Sequence, residues 1–311
     1  RISRLPWTLL KNFGMIHAAG GQAALKKRAG KGIIYILLTL ASAALLFPLV
    51  YMVCNSFMES REVMKAYALL TGNSGISSDA KRLSIHLIPE RVSLIQYYQA
   101  LFRKPTFLVM FWNSVIVTVP IVVGQTLVSA LAAYAFAKLR FPFRDQIFFL
   151  YIIVMMMPFQ VTLVPQYITL RKLDLLGSHL AVILPGIFST FGVFLLRQFM
   201  IRIPDEYSEA AKIDGAGHLR IFASIILPQC KGALASLAIL VFADNWNMVE
   251  QPLIFLNNGL MHPLSIFLSR INTSELGVAF ACGILYLLPT LFVFLYGESY
   301  LIEGIQRSGI K

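Results

Sequence analysis

Six apolar stretches, at about 33–54, 109–137, 146–170, 179–201, 232–256 and 278–302, constrain the fold more than any other feature of this chain. A helix crosses the roughly 30 Å hydrocarbon core of a bilayer with about 20 apolar residues, because each residue rises about 1.5 Å. Each stretch meets that length, and several exceed it, which predicts tilt, breaks or extension beyond the lipid. With 57% hydrophobic residues, only 14% charged and a mean hydropathy of +0.71, the 311-residue chain has lipid as its solvent. Soluble domains stay near 45–50% apolar and about 25% charged. An all-α membrane protein with six transmembrane helices is the fold class expected. A single membrane domain over 33–302 follows a basic leader at 1–32 and precedes a short tail at 303–311.

The net charge of +12 reports topology and not nucleic acid, since the basic residues lie between apolar runs without an interleaved aromatic patch. The leader carries Arg1, Arg4, Lys11, Lys26, Lys27, Arg28 and Lys31 with no acidic residue, and a short loop adds Lys138, Arg140 and Arg144. The positive-inside rule places both in the cytoplasm, and six spans return the C-terminus to the same side in a multi-pass membrane protein. No small-residue cleavage pattern follows the leader, so the first apolar run reads as a retained span. The 55–108 segment is also basic, but long loops weigh little in the rule, and it is assigned outside. Its middle, LTGNSGISSD, reads as a loop; residues 90–103 place Leu94, Tyr97, Tyr98 and Leu101 at the spacing of a surface amphipathic helix. Cys54, Cys230 and Cys282 are far apart and the five histidines are scattered, so neither a disulfide framework nor a metal site is expected.

Between the fourth and fifth stretches lies IPDEYSEAAKIDGAGHLRIFASIILP, residues 203–228. Pro204 suits a first helical position, and Asp205 and Glu206 put negative charge at the positive end of a helix dipole. Ala210 and Ala211 are small enough for another surface to approach the backbone. Gly215 and Gly217 permit a sharp turn before a second apolar helix that ends at Pro228. A cytoplasmic helix-turn-helix is expected here.

The spacing Glu209-Ala210-Ala211, Gly215, Ile225, Leu227-Pro228 resembles the EAA loop of ABC-importer permeases. FWNSV, AYAFAKLRFPFRD at 133–145, MMPFQVTLVPQY at 156–167, LDLLGS and FLLRQF are similar to the carbohydrate branch of those permeases, the maltose-permease type. The resemblance implies a type I importer fold and places Glu209, Ala210, Ala211, Asp214, Gly215 and Ala216 in a coupling helix that seats in a cleft of an ATPase subunit. It further implies a second homologous permease, two ATPase chains that hold ATP and Mg, and an extracytoplasmic sugar-binding protein. The chain itself is expected to be a non-catalytic subunit with no cofactor. Its nearest approach to a phosphate-binding Walker loop, Gly30-Lys31-Gly32, lacks the first glycine and the hydroxyl.

Ionisable and amide groups within lipid are costly, which makes FADNWNMVEQPLIF at 242–255 a second candidate. At about 100° per residue Asp244, Asn247, Met248 and Gln251 share one face, Trp246 and Glu250 another, and a kink is expected at Pro252. Asp244, Asn247 and Gln251 either face a central cavity, with Trp246 stacking on a sugar ring, or bond to neighbouring helices. Gln160 and Gln166, flanked by Pro158 and Pro165, are weaker candidates of the same kind, and Asn113 reads as an interfacial cap. A rival from another class is an ion-coupled secondary carrier with Asp244 and Glu250 as ion sites. An intramembrane enzyme lacks a nucleophile with a recognisable base.

Overall fold

The computed structural model describes residues 32, 34–67, 89–103, 105–269 and 275–308. The leader, apart from its last residue, and the loop centre at 70–79 lie outside the described residues. Among those described, regular structure is helical, with one isolated bridge between Met58 and Val92. The order is α1 (Ile34–Ser56), α2 (Ser60–Ala66) and α3, which begins as Ile95–Tyr98 and widens into a π turn at Gln99–Arg103. There follow α4 (Pro105–Lys138), α5 (Arg144–Met155), α6 (Phe159–Lys172), α7 (Leu180–Ile187) and α8 (Thr190–Met200). Next come α9 (Glu206–Ile213), α10 (His218–Gln229), α11 (Lys231–Trp246), α12 (Glu250–Phe255), α13 (Leu264–Ser269) and α14 (Leu276–Ser308).

α1, α4, the α7–α8 run Leu180–Met200 and α14 are each long and apolar enough to cross a bilayer. Two further apolar segments are bent pairs, α5 with α6 at 102° and α10 with α11 at 79°, and counting each as one span gives six. The third stretch breaks, one of the outcomes its length allowed. Pro158 has no N–H to give and disfavours helical geometry at Met157, so the chain turns there and α6 starts afresh at Phe159. The fourth stretch opens at Phe188 and Ser189, both outside helical geometry and Ser189 extended, three residues after Pro185. At the C-terminal end α14 runs on to Ser308, through the tail expected to begin at 303, because Glu303, Gln306 and Arg307 are good helix formers.

α4 is the axis of the bundle and packs along α7, α8 and α11, while α11 also packs along α14. Lipid tails are as apolar as leucine, so these helices associate through close packing and not through exclusion of water. Small residues make that packing close: a Cβ added at Gly186 would lie 2.8 Å from Ile121 on α4, and one added at Gly192 would collide with the Ser129 hydroxyl. The main buried cluster unites Ile121 and Ala133 of α4, Leu196 and Met200 of α8, Ile221 and Ile226 of α10, and Leu237 of α11. Hairpin and spans thus share one core.

The segment after α1 folds back onto the bundle. Met58, Val63, Ala66 and Tyr67 pack with Tyr51 of α1 and with Leu276 and Phe280 of α14. The Tyr67 hydroxyl lies 2.6 Å from Tyr51 Oη and 3.2 Å from Asn55 Oδ1, sharing its one proton between them, and burial, followed by the Tyr51 contact, pushes its pKa up. α3 follows the amphipathic expectation only in part: Leu101 packs on a buried cluster and Tyr97 on Phe57, but the most buried positions are others. Gln96 and Ala100 are buried while Leu94 and Tyr98 stay exposed, since Gln96 donates to Ser60 Oγ and the Met58 carbonyl. Asn113 is likewise no interfacial cap. It lies well inside α4, 7% exposed, and donates to the Leu260 and His262 carbonyls at 2.6 and 3.2 Å, pinning that connection to the bundle.

Candidate functional site: an exposed hairpin and a polar cavity

The 203–229 hairpin is built by its turn. Asp205 stands at the N-cap of α9 and Pro204 precedes it, one step outside the helix and not at its first position. Gly215 has φ +80°, and the Gly215 and Ala216 amides donate to the Lys212 and Ala211 carbonyls at 3.0 and 2.9 Å. That pair of bonds is a Schellman closure, which satisfies the last carbonyls of α9 and requires the left-handed conformation glycine adopts most cheaply. Gly217 then caps α10 in an extended conformation. α10 carries a π turn at Phe222–Ile226, just before Pro228, whose ring would clash with the Ser224 carbonyl in a regular helix. The helix continues through Pro228 to Gln229 before the bend into α11.

The hairpin has an inner and an outer face. Ala211, Ala216, Phe222, Ile225 and Leu227 pack on the main core around buried Ile221 and Ile226. Glu209, Ala210, Asp214 and Gly215 are exposed, as are Tyr207, Ile213 and Leu219, with Ile213 87% exposed and Leu219 76%. At its base, Lys138 at the end of α4 donates to Asp205 Oδ1 at 2.6 Å and to the Ile203 carbonyl. The Lys138 ammonium beside Asp205 holds that carboxyl below the usual range. Lys138 is 4% exposed and Asp205 70%, so the pair ties a buried cation to a solvated anion. Nearby, Arg197 near the end of α8 approaches Asp145 at 3.6 Å and lies 3.7 Å from the centroid of the Phe148 ring.

The second feature is a cavity of about 1020 Å³ between α6, α7, α8, α11 and α12. Asp244, Asn247, Glu250 and Gln251 line it, joined by Gln125, Gln166, Ser189 and Thr190 and by the rings of Phe159, Phe188 and Phe191. The non-helical backbone at 188–189 falls on this wall, where irregular backbone is tolerated inside a membrane protein. Asn247 is held at both ends, its amide donating to the Ala243 carbonyl at 2.7 Å and its Oδ1 accepting from Tyr286 Oη at 2.6 Å. The side chains of Asp244, Glu250 and Gln251 make no hydrogen bond or ion pair to other described residues.

Trp246 is not available to a ligand. It is 2% exposed, stacked on Phe242 and Tyr286 and edge-on to Phe111, and its indole N–H donates to the Tyr286 carbonyl at 3.1 Å. The expected kink also moves. α11 ends at Trp246 and α12 restarts at Glu250, which leaves Pro252 in a first turn where its missing N–H has no intrahelical acceptor to lose. This restart turns Glu250 onto the same wall as Asp244, where helical spacing alone had separated them. Gln166 reaches the cavity and Gln160 does not: it stands exposed on α6, outside the lining.

Residues 97–299 match the family described as the binding-protein-dependent transport system inner membrane component. The chain belongs to this family. It is similar to the arabinooligosaccharides transport system permease protein AraQ of Halalkalibacterium halodurans, 30% identical over 292 residues covering 92% of this chain and 99% of the relative. The sn-glycerol-3-phosphate transport system permease protein UgpE of Pectobacterium atrosepticum is 28% identical over 279 residues, covering 88% and 95%. The fold is that of a chain in the crystal structure of a bacterial ABC transporter involved in the import of the acidic polysaccharide alginate, with a TM-score of 0.71, 20% identity and coverage of 96% and 99%.

As a transport permease, the chain has both features inside the matched stretch. Sequence reasoning missed Ile213 and Leu219, the apolar residues most exposed on the hairpin. Their signal was present, since an isoleucine and a leucine flanking a polar glycine turn break the rule that loop residues are hydrophilic. It also missed Ser189 and Thr190, which only the break after Pro185 brings to the cavity.

Proposed function

We propose that this chain is one of two membrane-spanning subunits of an ATP-driven importer for a sugar or related solute. The observation that carries the reading is that one hairpin presents an exposed apolar rim at Ile213 and Leu219 while its inner face is part of the core of the spans. A load applied to that rim reaches α4, α8 and α11 without an intervening flexible joint. In the family reading the hairpin lies in the cytoplasm, with both termini, and seats in a cleft of an ATPase chain. Glu209, Ala210, Ala211, Asp214, Gly215 and Ala216 form or shape that contact. ATP and Mg belong to two such ATPase chains, and closure of the pair tilts the spans so that the cavity changes the side on which it opens. A second, homologous permease completes the pathway, and an extracytoplasmic binding protein delivers the solute.

Asp244, Asn247 and Gln251 are this chain's contribution to the pathway, together with Glu250 and Gln166. Trp246 supports them from behind by fixing α11 against α14, and Gln160 takes no part. The relatives transport arabinooligosaccharides and a glycerol phosphate by name, which supports a carbohydrate or polyol cargo.

The test is purification of the chain from native membranes, followed by Glu209→Lys. Copurification of an ATPase and a second permease, with solute-stimulated ATP hydrolysis lost in Glu209→Lys while the variant still inserts, is the expected outcome. A chain that purifies without any ATPase, or a Glu209→Lys variant with full uptake, would overturn the reading.

A further inference from the structure

The chemistry of the cavity wall specifies more than a generic solute. Among the described residues that line it, the charged members are Asp244 and Glu250, both exposed to the cavity, and there is no Lys, Arg or His. The polar remainder is neutral: amides from Gln125, Gln166, Asn245, Asn247 and Gln251, and hydroxyls from Ser189 and Thr190. Phe159, Phe188 and Phe191 add apolar faces.

An anion entering such a cavity meets two like charges and no cationic side chain among the described residues that line it. At about 8 Å, in an effective dielectric between protein and water and with salt screening, two such charges disfavour an anion roughly tenfold. Phosphate and carboxylate recognition ordinarily recruits arginine forks, lysine or helix N-termini. The N-terminal ends of α6 and α8 reach this wall at Phe159 and at Ser189 and Thr190, but each is equivalent to only about half a positive charge against two full carboxylate charges, so the wall as a whole disfavours anions. Carboxylates and amides do suit hydroxyl groups, since a carboxylate accepts from two hydroxyls and an amide both donates and accepts. Aromatic faces complement the apolar face of a sugar ring.

We propose that this half of the pathway selects uncharged, hydroxyl-rich solutes and rejects phosphorylated or carboxylated ones, through Asp244 and Glu250. The proposal rests on the importer reading for its cargo. It sets the chain apart from relatives named for a phosphate ester and from the alginate importer whose fold it shares.

The cavity potential is measured without transport. A cysteine is introduced by Gln251→Cys and, in a separate variant, by Leu240→Cys, both on the cavity wall. Cys54 is replaced by serine, while Cys230 and Cys282 are buried. The full chain in detergent is reacted with a cationic and an anionic methanethiosulfonate of equal size. Each rate is divided by that reagent's rate with a free thiol.

The expected result is a cationic-over-anionic preference of roughly tenfold or more at both positions, collapsing toward unity in Asp244→Asn/Glu250→Gln. Equal normalised rates, a preference untouched by the double variant, or no labelling at either position would each overturn the proposal. Competition in ATP-driven uptake supplies the cargo arm. A neutral oligosaccharide should compete and its uronate counterpart should not, and the double variant should narrow that difference; equal competition by the uronate would refute the selectivity. Absence of any ATP-driven uptake, with the labelling preference intact, would refute the importer reading and leave the negative cavity standing.

Discussion

Gly215→Ala isolates the turn of the hairpin from everything else in the protein. Gly215 holds φ +80°, and a Cβ built there has nothing within 4 Å, so the substitution adds no clash. Its whole cost is conformational. An L-residue in the left-handed region pays roughly 1–2 kcal/mol, which multiplies the opening equilibrium of the turn about 5–30-fold. The amides of Gly215 and Ala216, bonded to Lys212 and Ala211, should therefore exchange hydrogen about 5–30 times faster, read by mass spectrometry on peptides spanning 208–218. Gly217 is the internal control. It also has nothing near its Cβ, and its φ of −73° and ψ of 163° suit any residue, so in Gly217→Ala the few tenths to about 1 kcal/mol gained from a stiffer unfolded chain is offset by alanine's poorer fit to the N-cap of α10, and exchange should stay nearly unchanged. Uptake should fall in the first variant and not in the second. Equal protection in the two variants, or exchange as fast in Gly217→Ala as in Gly215→Ala, would refute the claim that a left-handed closure at Gly215 sets the hairpin's rigidity.

Trp246→Ala should destabilise the chain by about 3–5 kcal/mol, as expected for an emptied aromatic site, and lower its thermal midpoint in detergent. A shift confined to apparent solute affinity would contradict the buried position. Gly192→Ala should cost about 1–3 kcal/mol by forcing α8 off α4, and Ser129→Ala should restore part of that in the double variant by removing the hydroxyl the new methyl meets; additive midpoints would count against the contact. The tie between Lys138 and Asp205 predicts an acid dependence of known sign. Asp205 has a depressed pKa in the folded chain, so its contribution is present above the ordinary carboxylate value of about 3.9 and is lost as pH falls through the depressed one. Because Asp205 is largely solvated, that contribution is at most about 1 kcal/mol. Asp205→Asn should lower the thermal midpoint at neutral pH and flatten its decline toward pH 3, and an unchanged slope would remove the pair from the account.

The bilayer solvent, the approximate place of each span and the hairpin turn were legible in the chain alone, because each rests on local chemistry. Apolar length against bilayer thickness locates spans, and two glycines after a capped polar helix demand a turn. Asp244, Asn247 and Gln251 were readable as one polar face for the same reason, since helical spacing is local. Which aromatic residue serves a ligand was not legible. Trp246 and the phenylalanines of the cavity differ only in what α14 and α4 place beside them, and a helix whose lipid-facing and protein-facing sides are both apolar leaves no periodicity to tell them apart. The break at 247–249, the opening at 188–189 and the burial of Asn113 were also decided by neighbours. Each exchanges local helix regularity for a contact with an element distant in the sequence, so only the assembled bundle fixes it.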